Sequence, residues 1–175
     1  WLAVRTEGIY TIMITLAIGV AFYYFALQNY SVFNGFQGFH KVLPPTVFGD
    51  ESGDLLIVGW GSTRGAIEEA VERLRGEGHK VSSLHLTFLQ PMQPGIKEVL
   101  KRFRHVMTVE GNWSDDPSDP LIDETNRRYS ALAMLLRARY LVDVDCWTEV
   151  RGRPIKPGTI YTEIRRRLVA EELHS

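Results

Sequence analysis

DLLIVGWGSTRGAIEEAVERL, residues 54–74, changes its hydrophobic period halfway through. Leu55 to Val58 is an unbroken apolar run flanked by Asp54 and glycine, the pattern of a strand buried on both faces. Gly59, Gly61 and Gly65 then make a tight turn. Beyond it the apolar residues fall at Ile67, Ala70, Val71 and Leu74 with Glu and Arg between them, one stripe of a helix that ends near Gly76 or Gly78. A strand passing directly into a helix is the unit of an α/β fold.

The alternation continues along the chain. Lys80 to Leu86 reads as a strand, and Ile96 to Phe103 as a short helix after the turn at Pro91–Pro94. His105 to Glu110 is a third strand, Arg127 to Arg139 a helix, Tyr140 to Trp147 a fourth strand, and Thr159 to Leu173 the last helix. The pattern predicts an α/β domain with an open, mostly parallel sheet covered by helices on both faces.

The other end of the chain reads differently. Gly8 to Leu27 carries no charge, and no charged side chain lies between Glu7 and Lys41. The mean hydropathy of −0.11 averages over this split. A helix rises about 1.5 Å per residue, so about twenty residues cross a bilayer core of about 30 Å. A signal sequence usually has a shorter apolar run with small residues at its cleavage site, whereas this run ends in Phe-Tyr-Tyr-Phe. The expectation is a transmembrane helix. Trp1 lies before it, and Tyr23, Tyr24 and Tyr30 lie at its far end, where amphipathic rings settle at a membrane interface. Gly8, Thr11, Thr15 and Gly19 form a narrow stripe of small residues, a face on which membrane helices approach closely. No His, Cys or carboxylate lies within the span, so it lacks side chains for ligating haem or relaying protons. A connector follows, with Phe33, Phe36 and Phe39 at every third position, and Pro44-Pro45 stops any helix. The expected organisation is an anchor over 1–30, a linker over 31–49 and the α/β domain over 50–175.

Candidate chemistry is sparse. The net charge of −1 shows no global basic signal for nucleic acid. The single cysteine, Cys146, excludes an internal disulfide or a Cys-only metal site. His40, His79, His85, His105 and His174 form no metal-binding spacing, and His85 in a strand suits a structural role. The Gly59, Gly61, Ser62, Thr63, Gly65 loop stands at a helix start, where backbone N–H groups attract anions. It is neither G-x-G-x-x-G nor a Gly-Lys-Ser/Thr loop, and a turn that merely reverses the chain is the commoner use. Glu110 follows a strand, at the sheet edge where α/β proteins bind ligands. Arg127, Arg128, Arg137, Arg139 and Arg165 to Arg167 are a solvated face or, less commonly, a face for anionic headgroups.

Two long stretches carry a family resemblance. The first runs from DLLIVGWGSTRGAI through LHL to VEGNWS; the second holds LLRARYLVD and GRPI. From about Lys41 to Leu168 the chain resembles the C-terminal region of the α subunit of 2-oxoacid:ferredoxin oxidoreductases, especially the 2-oxoglutarate type. The resemblance implies a transketolase C-terminal-like fold that builds a subunit interface. It implies thiamine diphosphate held between the preceding domain of the α subunit and the β subunit, which also carries the iron–sulfur cluster. In this sequence the apolar helix stands where that preceding domain is expected. There is no Gly-Asp-Gly…Asn motif and no set of cluster cysteines. No catalytic, cofactor or metal residue of the family has a position to be carried onto.

The resulting expectation is a non-catalytic, membrane-anchored accessory subunit of a large bioenergetic complex, a photosynthetic reaction centre with antenna or a respiratory complex. It is expected not to be an enzyme and to hold no cofactor of its own, though lipid or pigment of neighbouring subunits lies within reach. Its partners would be integral membrane subunits and the bilayer, not nucleic acid. Its α/β domain would lie on the cytoplasmic side of a bacterial inner or intracytoplasmic membrane. Two other readings stay open: a membrane-tethered subunit of a split 2-oxoacid:ferredoxin oxidoreductase, and a small-ligand-binding regulatory domain.

Overall fold

The computed structural model describes residues 8–33, 42–123 and 125–172. Trp1, Phe36, Phe39, His40 and His174 lie outside the described residues. The chain divides into two compact units, Trp1–Val42 and Leu43–Ser175.

In the first unit, α1 spans Ile9–Gln28, 20 residues, with Gly8 before it at φ 62°. The segment has no charged residue and no residue is buried, so apolar side chains such as Ile9, Leu16 and Phe22 stand more than half exposed. Among the described residues it is the one helix long and apolar enough to cross a membrane, by length and composition. Thr11, Thr15 and Gly19 share one side at i, i+4 spacing. The Thr15 hydroxyl donates to the Thr11 carbonyl, so it is satisfied inside the helix. Nothing lies within 4 Å of where a Gly19 Cβ would be. Tyr23 and Tyr24 meet edge to face, with centroids 5.6 Å apart. Asn29 ends α1, its side-chain amide donating to the Phe25 carbonyl at 2.9 Å. Tyr30 begins α2, Tyr30–Phe33, whose Phe33 ring packs 6.2 Å from Phe22 and 6.0 Å from Phe25.

The second unit is a mixed five-stranded sheet with helices on both faces. Its elements are β1 (Val47–Phe48), β2 (Gly53–Trp60), α3 (Arg64–Gly76), β3 (Val81–Leu86), α4 (Ile96–Leu100), β4 (Phe103–Glu110), α5 (Ala131–Tyr140), β5 (Asp145–Thr148) and α6 (Pro157–Glu172). A 3₁₀ turn, Gly61–Thr63, links β2 to α3. The strand order is β1-β3-β2-β4-β5. Only β1 runs antiparallel, pairing Val47 with Leu84; the other pairings are parallel.

Alternation along the strands sorts the core into two layers. Leu55 and Ile57 of β2, Val81 of β3, and Met107 and Val109 of β4 face α3 and α6, meeting Ile67, Val71, Leu74, Ile160 and Ile164. Leu56 and Val58, Leu84 and Leu86, and Val106 face α4 and α5, meeting Ile96, Leu100, Leu132 and Leu136. Both faces are covered, so the strands read as continuous apolar runs.

Several element bounds differ from the sequence reading; β4, for one, begins at Phe103, which that reading placed in the preceding helix. β1 is a two-residue edge strand, too short to leave a period; Asp50 beyond it is held by Arg75 at 2.9 Å, and its carbonyl accepts from Ser82 at 2.8 Å. α5 starts at Ala131 rather than Arg127, because Ser130 is extended at its N-cap and Arg127 to Tyr129 serve tertiary contacts. β5 starts at Asp145 rather than Tyr140, because Leu141 takes the left-handed conformation at φ 54° and ends α5 there.

Candidate functional site

The connection after β2 goes to the α3 face, while the connection after the adjacent β4 goes to the α5 face. The two loops therefore part between these strands and leave a crevice at their C-terminal ends, the usual ligand position of an open α/β sheet. A cavity of about 570 Å³ lies there. Three loops line it: Trp60 to Thr63 after β2, Gly111 and Asn112 after β4, and Glu149 to Ile155 after β5.

The predicted loop is divided by this geometry. Gly61, Ser62 and Thr63 line the crevice; Gly59 and Gly65 do not. Gly61 needs its φ of 62°, which an L side chain rarely adopts. Gly59 sits inside β2, where a Cβ would collide with Ile67 Cδ1 and lie 2.8 Å from Thr63 Oγ1. Its role is close packing of α3 on the sheet. Thr63 Oγ1 donates to the Trp60 carbonyl at 2.9 Å, which secures the turn. No side chain caps the N-terminus of α3, so its first N–H groups are not satisfied in that way.

Asn112, Arg151 and Arg153 were missed by sequence reasoning. Arg151 Nε lies 2.7 Å from Glu149. Arg153 forms no ion pair among the described residues. The Asn112 amide donates to Glu110 Oε2 at 2.8 Å, and its Oδ1 is shielded from solvent without a donor. The basic Arg-Gly-Arg-Pro run after a strand was the available signal, but its approach to the β2 loop is not local in sequence.

Glu110 has a structural role rather than a place in the cleft. It is completely buried. Its carboxylate accepts from the backbone N–H groups of Leu132 at 3.0 Å and Ala133 at 3.2 Å, and from the Ser130 hydroxyl. It thus caps α5 from another element and complements the positive end of the helix dipole. Cys146, also buried, receives the Ser130 N–H on its sulfur at 3.4 Å.

The arginines expected to be a solvated or lipid-facing set are mostly engaged within the domain. Arg127 and Arg137 both stack on Tyr129, 4.6 and 4.2 Å from its centroid. Arg127 Nη2 is 2.8 Å from Asp145, which also pairs with Arg167, and Arg167 Nε is 2.7 Å from Glu163. Arg128 covers Trp113 at 4.4 Å and donates its backbone N–H to the buried Asp115 at 2.8 Å. That backbone donor, with the guanidinium, holds the Asp115 carboxyl below its ordinary range. Burial, with the Arg64 charge, holds the His85 imidazole below its ordinary value; its Nδ1 is shielded and unpartnered.

Among the described residues no group of His, Cys, Asp or Glu is arranged to hold a metal ion. Cys146, occupied by Ser130 and the only cysteine, does not fit a cluster ligand set.

Fold and crevice together define a doubly wound α/β module with a mixed sheet. Residues 53–160 match the family described as pyruvate:ferredoxin oxidoreductase core domain II, and the chain belongs to that family. Over 118 residues it is 38% identical to 2-oxoglutarate oxidoreductase subunit KorA of Mycobacterium tuberculosis, covering 66% of this chain and 15% of the relative. Over 81 residues it is 41% identical to the α subunit of 2-oxoacid:ferredoxin oxidoreductase 1 of Aeropyrum pernix, covering 45% of this chain and 13% of the relative. The fold also matches a solved 2-oxoglutarate:ferredoxin oxidoreductase from Magnetococcus marinus with 2-oxoglutarate, coenzyme A and succinyl-CoA bound. That match has a TM-score of 0.57 and 26% identity, and covers 73% of this chain and 20% of that one. The chain thus spans about a seventh of the length of these curated relatives.

These matches overturn two expectations. The reading as an accessory subunit of a photosynthetic or respiratory complex fails, because the relatives are subunits of 2-oxoacid oxidoreductases. The reading as a non-enzyme fails with it, because the family is an enzyme family. Both rested on parts absent from this sequence, which spans only a small part of those relatives. The resemblance to the C-terminal region of the α subunit holds.

Proposed function

We propose that the chain supplies core domain II of the α subunit of a 2-oxoacid:ferredoxin oxidoreductase, working as one part of a multi-subunit enzyme. The observation that carries this is the match over residues 53–160 together with 38% identity to a 2-oxoglutarate oxidoreductase subunit. The substrate would be a 2-oxoacid, oxidised with transfer of electrons to ferredoxin. The domain contributes packing surface to that assembly, and other domains or subunits hold thiamine diphosphate and the iron–sulfur cluster. Its own residues offer no cluster ligand set.

We further propose that α1 tethers this subunit to a membrane with the α/β domain on the cytoplasmic side. Its 20 uncharged residues and exposed apolar surface support the tether. The small-residue side of Thr11, Thr15 and Gly19 is the face offered to a neighbouring membrane helix.

The test is affinity purification of the full chain from native membranes in mild detergent. The expected result is co-purification of thiamine diphosphate- and cluster-bearing subunits, with 2-oxoacid- and coenzyme A-dependent reduction of a viologen dye. Recovery of the chain without such subunits or activity overturns the enzyme reading. Release of the chain by alkaline carbonate overturns the tether alone.

A further inference from the structure

We propose that the crevice at the C-terminal ends of β2, β4 and β5 is a binding site for an organic phosphate bearing a flat ring, of the nucleoside diphosphate class. The inference concerns this domain alone and does not depend on the oxidoreductase assembly.

Position and size come first. The crevice lies where the connections after β2 and β4 leave for opposite faces. Its volume of about 570 Å³ suits a small organic molecule.

The polar side of the lining selects an anion. Arg151 and Arg153 face one acid, Glu149, and Glu149 is committed to Arg151 at 2.7 Å. Arg153 is left without an ion pair among the described residues, and a phosphate is a natural partner for a guanidinium. Ser62, in the 3₁₀ turn that leads into α3, also lines the crevice, and its hydroxyl is able to donate to a phosphate oxygen. Gly61, with no side chain and a φ of 62°, lets backbone come close there.

The apolar side selects a ring. Trp60 is 38% exposed, and Val150 and Ile155 continue the wall. An indole offers a planar face for stacking, worth about 1–3 kcal/mol for a base on an aromatic side chain. A simple dicarboxylate or free phosphate leaves this wall unused.

The test is calorimetric titration of the full chain in detergent with ADP, and in separate arms with adenosine and with inorganic pyrophosphate. The expected result is saturable one-to-one binding of ADP with Kd of about 1–100 μM. Adenosine and pyrophosphate are each expected to bind at least about tenfold more weakly, since each uses only one wall. Arg153→Ala and Trp60→Leu should each weaken ADP by about tenfold or more, while Arg153→Lys keeps part of the affinity and Arg139→Ala none of the loss. Arg153 is a surface residue, so its variants keep the melting temperature and the loss is read in folded protein. Absence of saturation by about 5 mM ADP in folded protein overturns the site. So does undiminished binding in Arg153→Ala and Trp60→Leu. Pyrophosphate binding as tightly as ADP overturns the ring-selective assignment.

Discussion

Replacing Glu110 tests the account of how α5 is held on the sheet. The carboxylate is completely buried and accepts from the N–H groups of Leu132 and Ala133, from the Ser130 hydroxyl and from the Asn112 amide. Truncation to Ala leaves two backbone donors and two side-chain donors facing a void. Each buried donor left unmade costs about 1–3 kcal/mol, and loss of a helix cap about 1 kcal/mol. Water entering the void satisfies part of this, so the expected loss is about 3–5 kcal/mol, as when a buried pair loses one partner. Glu110→Gln keeps the shape but turns one acceptor into a donor, which then opposes a helix N–H. Its expected cost is about 2–3 kcal/mol. Urea titration of the full chain in detergent, read by tryptophan fluorescence, measures both. With a slope of about 2 kcal/mol/M, the midpoint falls by about 1.5–2.5 M for Ala and about 1–1.5 M for Gln. A Ser130→Ala background should shrink the Glu110→Ala effect, because the two groups share one network. If both variants unfold within about 0.3 M of the parent, the carboxylate does not hold α5, and the capping argument fails.

The glycines of the β2–α3 turn divide in sign. Gly59→Ala, which drives a methyl onto Ile67, should cost about 1–3 kcal/mol, and Gly61→Ala, at φ 62° in open space, about 1 kcal/mol. Gly65→Ala, inside α3 with nothing within 4 Å, should stabilise by about 0.5 kcal/mol; denaturant midpoints of the three variants check the order. Leu141 is 85% exposed and left-handed at the end of α5, so Leu141→Gly should raise stability by about 0.5–1 kcal/mol, read as a higher melting temperature. The lowered His85 pKa means the folded protein favours neutral imidazole. That stability is fully present above the unfolded value of 6.5 and is lost as pH falls through the lower folded value. His85→Gln should flatten this part of the pH–stability curve; an unchanged curve refutes it. Asp115 acts in a more acidic window: its stabilisation is present above 3.8 and lost as pH falls through its depressed folded value, and Asp115→Asn should remove that loss.

The order of strands and helices was legible because hydrophobic period is a local property. Leu55 to Val58 and the Ile67, Ala70, Val71, Leu74 stripe read as strand and helix, and they fold so. Both faces of the sheet are covered, which the unbroken apolar runs implied. Boundaries failed where long-range contacts outweigh local propensity. Arg127 to Tyr129 had helical spacing, yet stacking on Tyr129 and the pairing of Arg128 with Asp115 place them outside α5. Of the predicted loop, only Gly61, Ser62 and Thr63 reach the crevice, since Gly59 is taken up in packing α3.

By itself, the sequence determined the α/β alternation, the uncharged helix ahead of it and the family, because each is written in adjacent residues. Only the tertiary structure decided the strand order, the burial of Glu110 under α5 and the meeting of Trp60, Asn112 and Arg153 around one crevice. Those residues are separated by tens of positions, and parallel pairing of β2, β4 and β5 brings their C-terminal ends together. Register between strands is set by which faces are buried against which helices, and no single segment carries that information.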